Sequence, residues 1–163
     1  MISPLKKLKM MKFGRLSDLV NNRITLSTIA VMRFSLTDKG VQELILNLNR
    51  EAQLFDEGVD ISGNIAGYYS SFTEALTAGV SFRGKEKLAG TPYFFFDTGS
   101  LFDGFFIRIH DDGIVIGATD IEKLENVIED VTQLLGLTTE SKEILITEII
   151  PDMRDFILKK LLS

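Results

Sequence analysis

The segment Phe105-Phe106-Ile107-Arg108-Ile109-His110-Asp111-Asp112-Gly113-Ile114-Val115-Ile116-Gly117 decides the fold. Two runs of β-branched and aromatic residues flank Asp111-Asp112-Gly113, and an Asp-Gly pair tolerates the positive φ of a tight hairpin turn. Side chains alternate across a strand, so Phe105, Ile107 and Ile109 point one way while Phe106, Arg108 and His110 point the other. Just upstream, Tyr93-Phe94-Phe95-Phe96 reads as a further short apolar strand. Together these stretches predict a small antiparallel sheet over residues 93–118.

Helices are predicted on both sides of that sheet. Val41, Leu44, Ile45, Leu48 and Ala52 follow the spacing of one helical face, with Asn47, Arg50, Glu51 and Gln53 on the others. This helix is expected over 39–56, ending near Phe55 before the turn-rich Gly58-Val59-Asp60-Ile61-Ser62-Gly63-Asn64. A short helix is expected between Tyr68 and Ala78. Thr119-Asp120-Ile121-Glu122 is a capping box, and Ile121, Leu124, Val127, Ile128, Val131, Leu134 and Leu135 form the apolar stripe of a helix over 120–135. Gly136 is its expected stop. Thr138 is a cap for a last helix over 139–161, which Pro151 kinks or restarts. Between these elements Gly79 to Pro92 reads as a long loop or extended arm, bearing Arg83, Lys85 and Lys87. The fold class is therefore α+β, a single domain over 36–163 behind a basic segment, 1–35, that packs on it or extends from it.

Composition narrows the chemistry. The chain has 163 residues, 45% hydrophobic and 25% charged, which suits one soluble globular domain. It contains no cysteine and one histidine, His110, so disulfide frameworks, zinc knuckles, iron–sulfur sites, thiol nucleophiles and multi-histidine metal sites are excluded. No apolar run approaches the ~18–20 residues of a membrane span. The N-terminus lacks the succession of a cleaved signal, and the expectation is an intracellular or virion-type protein.

The strongest short motif is Asp97-Thr98-Gly99-Ser100, directly after three phenylalanines. An apolar strand followed by Asp-Thr-Gly-Ser is the catalytic loop of aspartic proteases, where two carboxylates share a proton. One copy in a short chain requires a homodimer of the retropepsin type, with Ile114-Val115-Ile116-Gly117 as the later apolar–glycine element. That element begins only 14 residues after Ser100, with helices rather than strands following it. The simpler reading is a tight turn in which Asp97 and Thr98 bond local amides, Gly99 supplies positive φ and Ser100 starts the next segment. Asp60-Ile61-Ser62-Gly63 is read as a turn, since a calcium loop aligned on Gly63 puts Tyr69 where a glutamate is required. His110 reads as an exposed hairpin residue. Neither a phosphate-binding Gly-Lys-Ser/Thr loop nor a dinucleotide fingerprint occurs, and no cofactor or metal is expected. The phenylalanines from Phe94 to Phe106 exceed what one sheet face buries, which points to a subunit interface that includes Phe102.

The net charge of −5 is uneven. Residues 1–35 hold seven basic residues (Lys6, Lys7, Lys9, Lys12, Arg15, Arg23, Arg33) against Asp18, a net of +6; the remainder holds 11 basic against 22 acidic residues, −11. Within the head, Pro4 to Val20 is loosely amphipathic and interrupted by Gly14, and Ile24 to Phe34 suits either a strand or a buried helical piece. Such a head has three readings: a solvated helix face, a membrane-surface helix that lacks tryptophan and a strong apolar moment, or a segment docked on an acidic neighbour or nucleic acid. The acidic body argues against specific DNA readout and leaves a DNA-lined channel open.

The order of features (Leu48-Asn49-Arg50-Glu51-Ala52-Gln53-Leu54, the Gly58–Asn64 turn, Tyr68-Tyr69-Ser70, Asp97-Thr98-Gly99-Ser100-Leu101, Phe105-Phe106, Asp111–Ile114, Leu135-Gly136-Leu137-Thr138 and Ile150-Pro151) resembles structural proteins of tailed bacteriophages. The likeness is to neck, head–tail connector or tail-completion proteins, including those of crAss-like phages of gut Bacteroidetes, and covers residues 40–155. The resemblance implies a non-enzymatic virion protein, made in the host cytoplasm, that forms an oligomeric ring in the neck or tail. Its implied partners are further copies of itself, portal, adaptor or other neck and tail proteins, and packaged DNA in the lumen, with no membrane. The expected interface residues are Lys6, Lys7, Lys9, Lys12, Arg83, Lys85, Lys87, Asp97, Thr98, Gly99, Ser100 and Phe102. The alternatives are a homodimeric aspartic protease using Asp97, and a nucleic-acid-binding module.

Overall fold

The hairpin forms with the faces that the alternation predicts. The structure, a computed structural model, describes residues 33–110, 113–125 and 128–162. In it β1 (Phe105–His110) pairs antiparallel with β2 (Gly113–Ala118). Phe105, Ile107 and Ile109 stand opposite Ala118, Ile116 and Ile114, and these six line the core side. On the reverse face Phe106 is opposite Gly117, where a Cβ would come within 2.5 Å of the ring. The phenylalanine thus occupies the space that a side chain on its cross-strand neighbour would take.

Tyr93–Phe96 does not join this sheet, which contradicts its prediction as a strand. Pro92 makes an isolated bridge with Tyr68, and the Tyr93 N–H donates to the Gly67 carbonyl at 2.9 Å. Phe95 then takes φ 49° and ends the extended run. Four successive aromatics on a strand send alternate rings to opposite faces. The left-handed residue costs about 1–2 kcal/mol, and it lets Phe94 bury while Phe96 packs against Phe55 and Phe102.

Helix α1 (Lys39–Asn47) starts at Asp38, whose carboxylate accepts the Gly40 and Val41 N–H groups at 2.7 and 3.2 Å. Val41, Ile45 and Leu48 are buried as their spacing predicts. From Leu48 to Glu57 the helix widens into π-type hydrogen bonding and ends at Gly58, φ 68°, whose N–H donates to the Gln53 carbonyl. A bond spanning five residues advances each side chain through a smaller angle than an α turn does. The register therefore drifts, and Asn49 and Gln53 face inward with Leu54 and Phe55. The expectation that Gln53 lies on an outer face is corrected accordingly.

Beyond Gly58, Asp60 organises the turn by accepting the Ser62 and Asn64 N–H groups. Helix α2 (Ser71–Leu76) follows, capped by the Ser70 hydroxyl on Thr73 N–H at 3.1 Å. Helix α3 (Ser100–Asp103) leads into β1.

The single helix predicted over 120–135 is replaced by α4 (Ile121–Glu125) and a 3-10 turn at Val131–Leu134. Asp130 explains the interruption. Its carboxylate accepts the N–H and hydroxyl of Thr132 and the Gln133 amide, so a new helical start is capped there. These bonds lower the Asp130 pKa. Helix α5 (Thr139–Leu162) begins where predicted, with Thr138 Oγ1 accepting the Ser141 N–H at 3.1 Å, and it continues through Pro151.

Core and α5 are tied by two buried amides. Asn49 Nδ2 donates to the Leu134 and Gly136 carbonyls at 2.9 and 2.7 Å. Gln53 Nε2 donates to Gly136 at 3.0 Å, and its Oε1 accepts the Thr138 N–H at 3.0 Å. The π-helical stretch thereby fixes the loop that launches α5. Ile45, Leu54, Leu124 and Leu134 lie at the centre of the apolar core.

Candidate functional site

The segment 79–92 is a folded loop rather than an extended arm. At its tip Phe82 and Lys85 pair across Arg83 and Gly84, both with positive φ (53° and 89°). Two such residues in succession make the tight turn that suits a hairpin twist. The turn places three cations against aromatic rings. Arg83 lies 4.3 Å over the Phe55 ring and pairs with Glu51 at 2.8 Å. Lys85 Nζ donates to the Phe55 carbonyl at 2.5 Å, at the end of the π-helical stretch where carbonyls lack partners. Lys87 lies 4.1 Å over Phe82 and pairs with Asp97 at 3.1 Å, with its side chain only 12% exposed. The three cations expected to face a neighbour therefore each hold partners within the chain.

The Asp97–Ser100 turn lies next to Lys87. Gly99, φ 91°, precedes α3, and Ser100 opens that helix, as the turn reading predicts. Thr98 Oγ1 accepts the Ser100 N–H at 3.5 Å and donates to Ser100 Oγ, which in turn donates to Asp120 at 3.3 Å. Asp97 departs from that reading: its carboxylate accepts from the Lys87 ammonium rather than from a local amide. Phe102, expected at an interface, is a core residue, packed edge-on against Phe55, Phe96 and Phe105. Lys6, Lys7, Lys9 and Lys12 lie outside the described residues.

Between turn and loop lies a cleft of about 370 Å³. Tyr69, Tyr93, Phe95, Phe96, Leu101 and Leu124 form its walls, and Lys87, Asp97, Thr98, Gly99 and Ser100 contribute its polar part. The Tyr69 hydroxyl accepts the Phe94 N–H at 3.2 Å, and its ring stands edge-on to Tyr93 and Phe94. Burial is the main cause that pushes the Tyr69 pKa up to about 12, against the opposing effect of that hydrogen bond.

Sequence reasoning singled out the turn but not the walls: Tyr69, Tyr93, Phe95 and Leu124 were assigned no site role. The surplus of rings over 93–96 was the available signal, and the strand reading concealed it. Chemically, the cleft offers apolar surface, hydroxyls and one ion pair. That set suits holding an apolar or aromatic group whose edge meets a polar rim. Among the described residues no group of three His, Asp or Glu side chains is placed to hold a metal ion, and no helix is long and apolar enough to cross a membrane. No family model, no curated protein and no solved structure matches this chain.

Proposed function

We propose that this chain is a non-enzymatic virion structural protein, the subunit of an oligomeric ring in the neck of a tailed phage, as a head–tail connector or tail-completion protein. The observation that carries the reading is the charge division, +6 over residues 1–35 against −11 over the rest. Opposite patches on one chain attract between copies, and repeated head-to-tail contacts close into a ring when the rotation per subunit permits. Apolar surface adds to it: Phe72, Leu76, Ile144, Ile146 and Ile150 are exposed on α2 and α5. Side chains of that kind in quantity are what contact surfaces need. The resemblance to neck and tail proteins supplies the location, and portal, adaptor and neighbouring tail proteins are the implied partners.

The protease alternative draws less support. It needs Asp97 to share a proton with a twin carboxylate, and the group at its oxygen here is the Lys87 ammonium.

The test is light scattering coupled to size exclusion on the full chain. At low salt and high protein concentration the expected result is a closed oligomer. At about 1 M salt, where the screening length falls to about 3 Å, it should dissociate. A chain that stays monomeric at low salt, and that no neck or tail protein assembles, overturns the reading. A gene position between portal and tail genes is the matching expectation for its location.

A further inference from the structure

Helix α2 carries apolar side chains that the described residues leave exposed. No residue of α2 is buried, although the helix is firmly placed. Ser70 caps its start, and the Glu74 carboxylate accepts the Ala89 N–H at 2.9 Å. Tyr68, Phe72, Leu76 and Val80 follow one another at intervals of four along this segment, and all four are exposed. Phe72 and Leu76 are 71% and 69% exposed. Residues four apart share a face of a helix, so these two form one apolar knob left exposed by the described residues of its own chain. A helix folded only to face water carries polar residues there.

The cleft has the complementary character. Its walls are rings and leucines, and with Phe72 so exposed, the chain's own knob leaves it open. Aromatic walls favour an aromatic guest edge-on. We infer that Phe72 and Leu76 of one copy seat in the Tyr69–Leu124 cleft of a second copy. This inference rests on the ring-subunit reading and supplies its registering contact. Where a single such contact joins two copies it is head-to-tail, the type that closes rings or runs on as filaments.

The size of the contact fits a role beside the charges. Two apolar anchors bury roughly 300–400 Å², well short of the ~1,200 Å² of a stable interface. One knob alone therefore binds weakly; charge attraction brings copies together, and the knob sets their register. A rigid, pre-capped knob loses little freedom on docking.

Two variants at exposed positions separate the halves. Phe72→Asp removes the knob and keeps the cleft; Thr98→Trp fills the cleft mouth and keeps the knob. Circular dichroism checks that both remain folded. In light scattering at low salt, each variant alone should need at least about tenfold more protein than the native chain to assemble. An equimolar mixture should regain a two-subunit species, because one variant offers a knob and the other a cleft. Variants that assemble at the native concentration, or a mixture that shows no more than either variant alone, overturn the contact while the native oligomer leaves the ring reading standing. A native chain that stays monomeric overturns both.

Discussion

The π-helical stretch Leu48–Glu57 and the loop-and-turn region 79–99 meet at Gly58, yet different forces hold them. On the first side, Asn49 and Gln53 spend their amides on the carbonyls of Leu134 and Gly136 and the N–H of Thr138, all directional bonds made out of water. On the second, rings meet at interplanar angles from 48° to 86° and cations lie over their faces. Hydrogen bonds accept little change in geometry, whereas ring contacts tolerate a range of angles. A cleft therefore persists where rings rather than directional bonds hold the walls. The ring side leaves about 370 Å³ open and still keeps Phe94 buried.

The most damaging change should be at the junction itself. Gly58 has φ 68°, and a Cβ there would stand 2.2 Å from the Tyr93 carbonyl oxygen. Gly58→Ala therefore adds left-handed strain and a clash with backbone that has no rotamer to yield. A loss of at least about 3 kcal/mol is expected, read as a lowered denaturant midpoint. A change below about 1 kcal/mol would show that the two regions are not locked together at this point.

Next in size is the amide side. Gln53→Leu keeps the volume but strips the Thr138 N–H of its acceptor and the Gly136 carbonyl of one donor. Leaving a buried donor unpaired costs about 1–3 kcal/mol. Chemical denaturation should register that loss, and amide exchange at Thr138 should quicken by more than global unfolding explains. Equal protection at Thr138 in both proteins would break the claim that directional bonds rule this side.

How much of this was legible follows the same division. The hairpin, α1, the Thr138 cap and the Asp97–Ser100 turn were readable because each depends on neighbours in sequence: alternation, spacing of four, a hydroxyl before a helix, a glycine at positive φ. The inward turn of Gln53 was not, because it depends on the helix widening after Asn47, and α periodicity assigns that side chain elsewhere. The break at Asp130 left a local trace, an aspartate two residues before Thr132, which the apolar stripe overrode. The cleft was the least legible feature, since it joins Tyr69, Phe95 and Leu124 from three separate segments. Only the excess of rings over 93–96 hinted at it.

The smallest expected effect tests the tolerant side. Tyr69→Phe keeps the ring in the cleft wall and removes the oxygen that accepts the Phe94 N–H. At neutral pH the cost should be about 1 kcal/mol or less, since the phenol is only half-buried and water can replace it. Alkaline pH separates the two proteins further. The Tyr69 pKa lies at about 12 in the folded chain against 10.0 for the free group, because burial disfavours the phenolate. Below pH 10 the phenol is protonated whether the chain is folded or not, so it imposes no pH dependence on stability there. As pH rises through 10 toward about 12 the unfolded chain releases this proton first, and stability falls. Tyr69→Phe should flatten that limb of the melting-temperature profile and delete the phenolate absorbance that develops near pH 12. An unchanged alkaline limb would place the phenol in water rather than in the cleft wall. The ring side would then be looser than its contacts imply, and the contrast with the amide side correspondingly sharper.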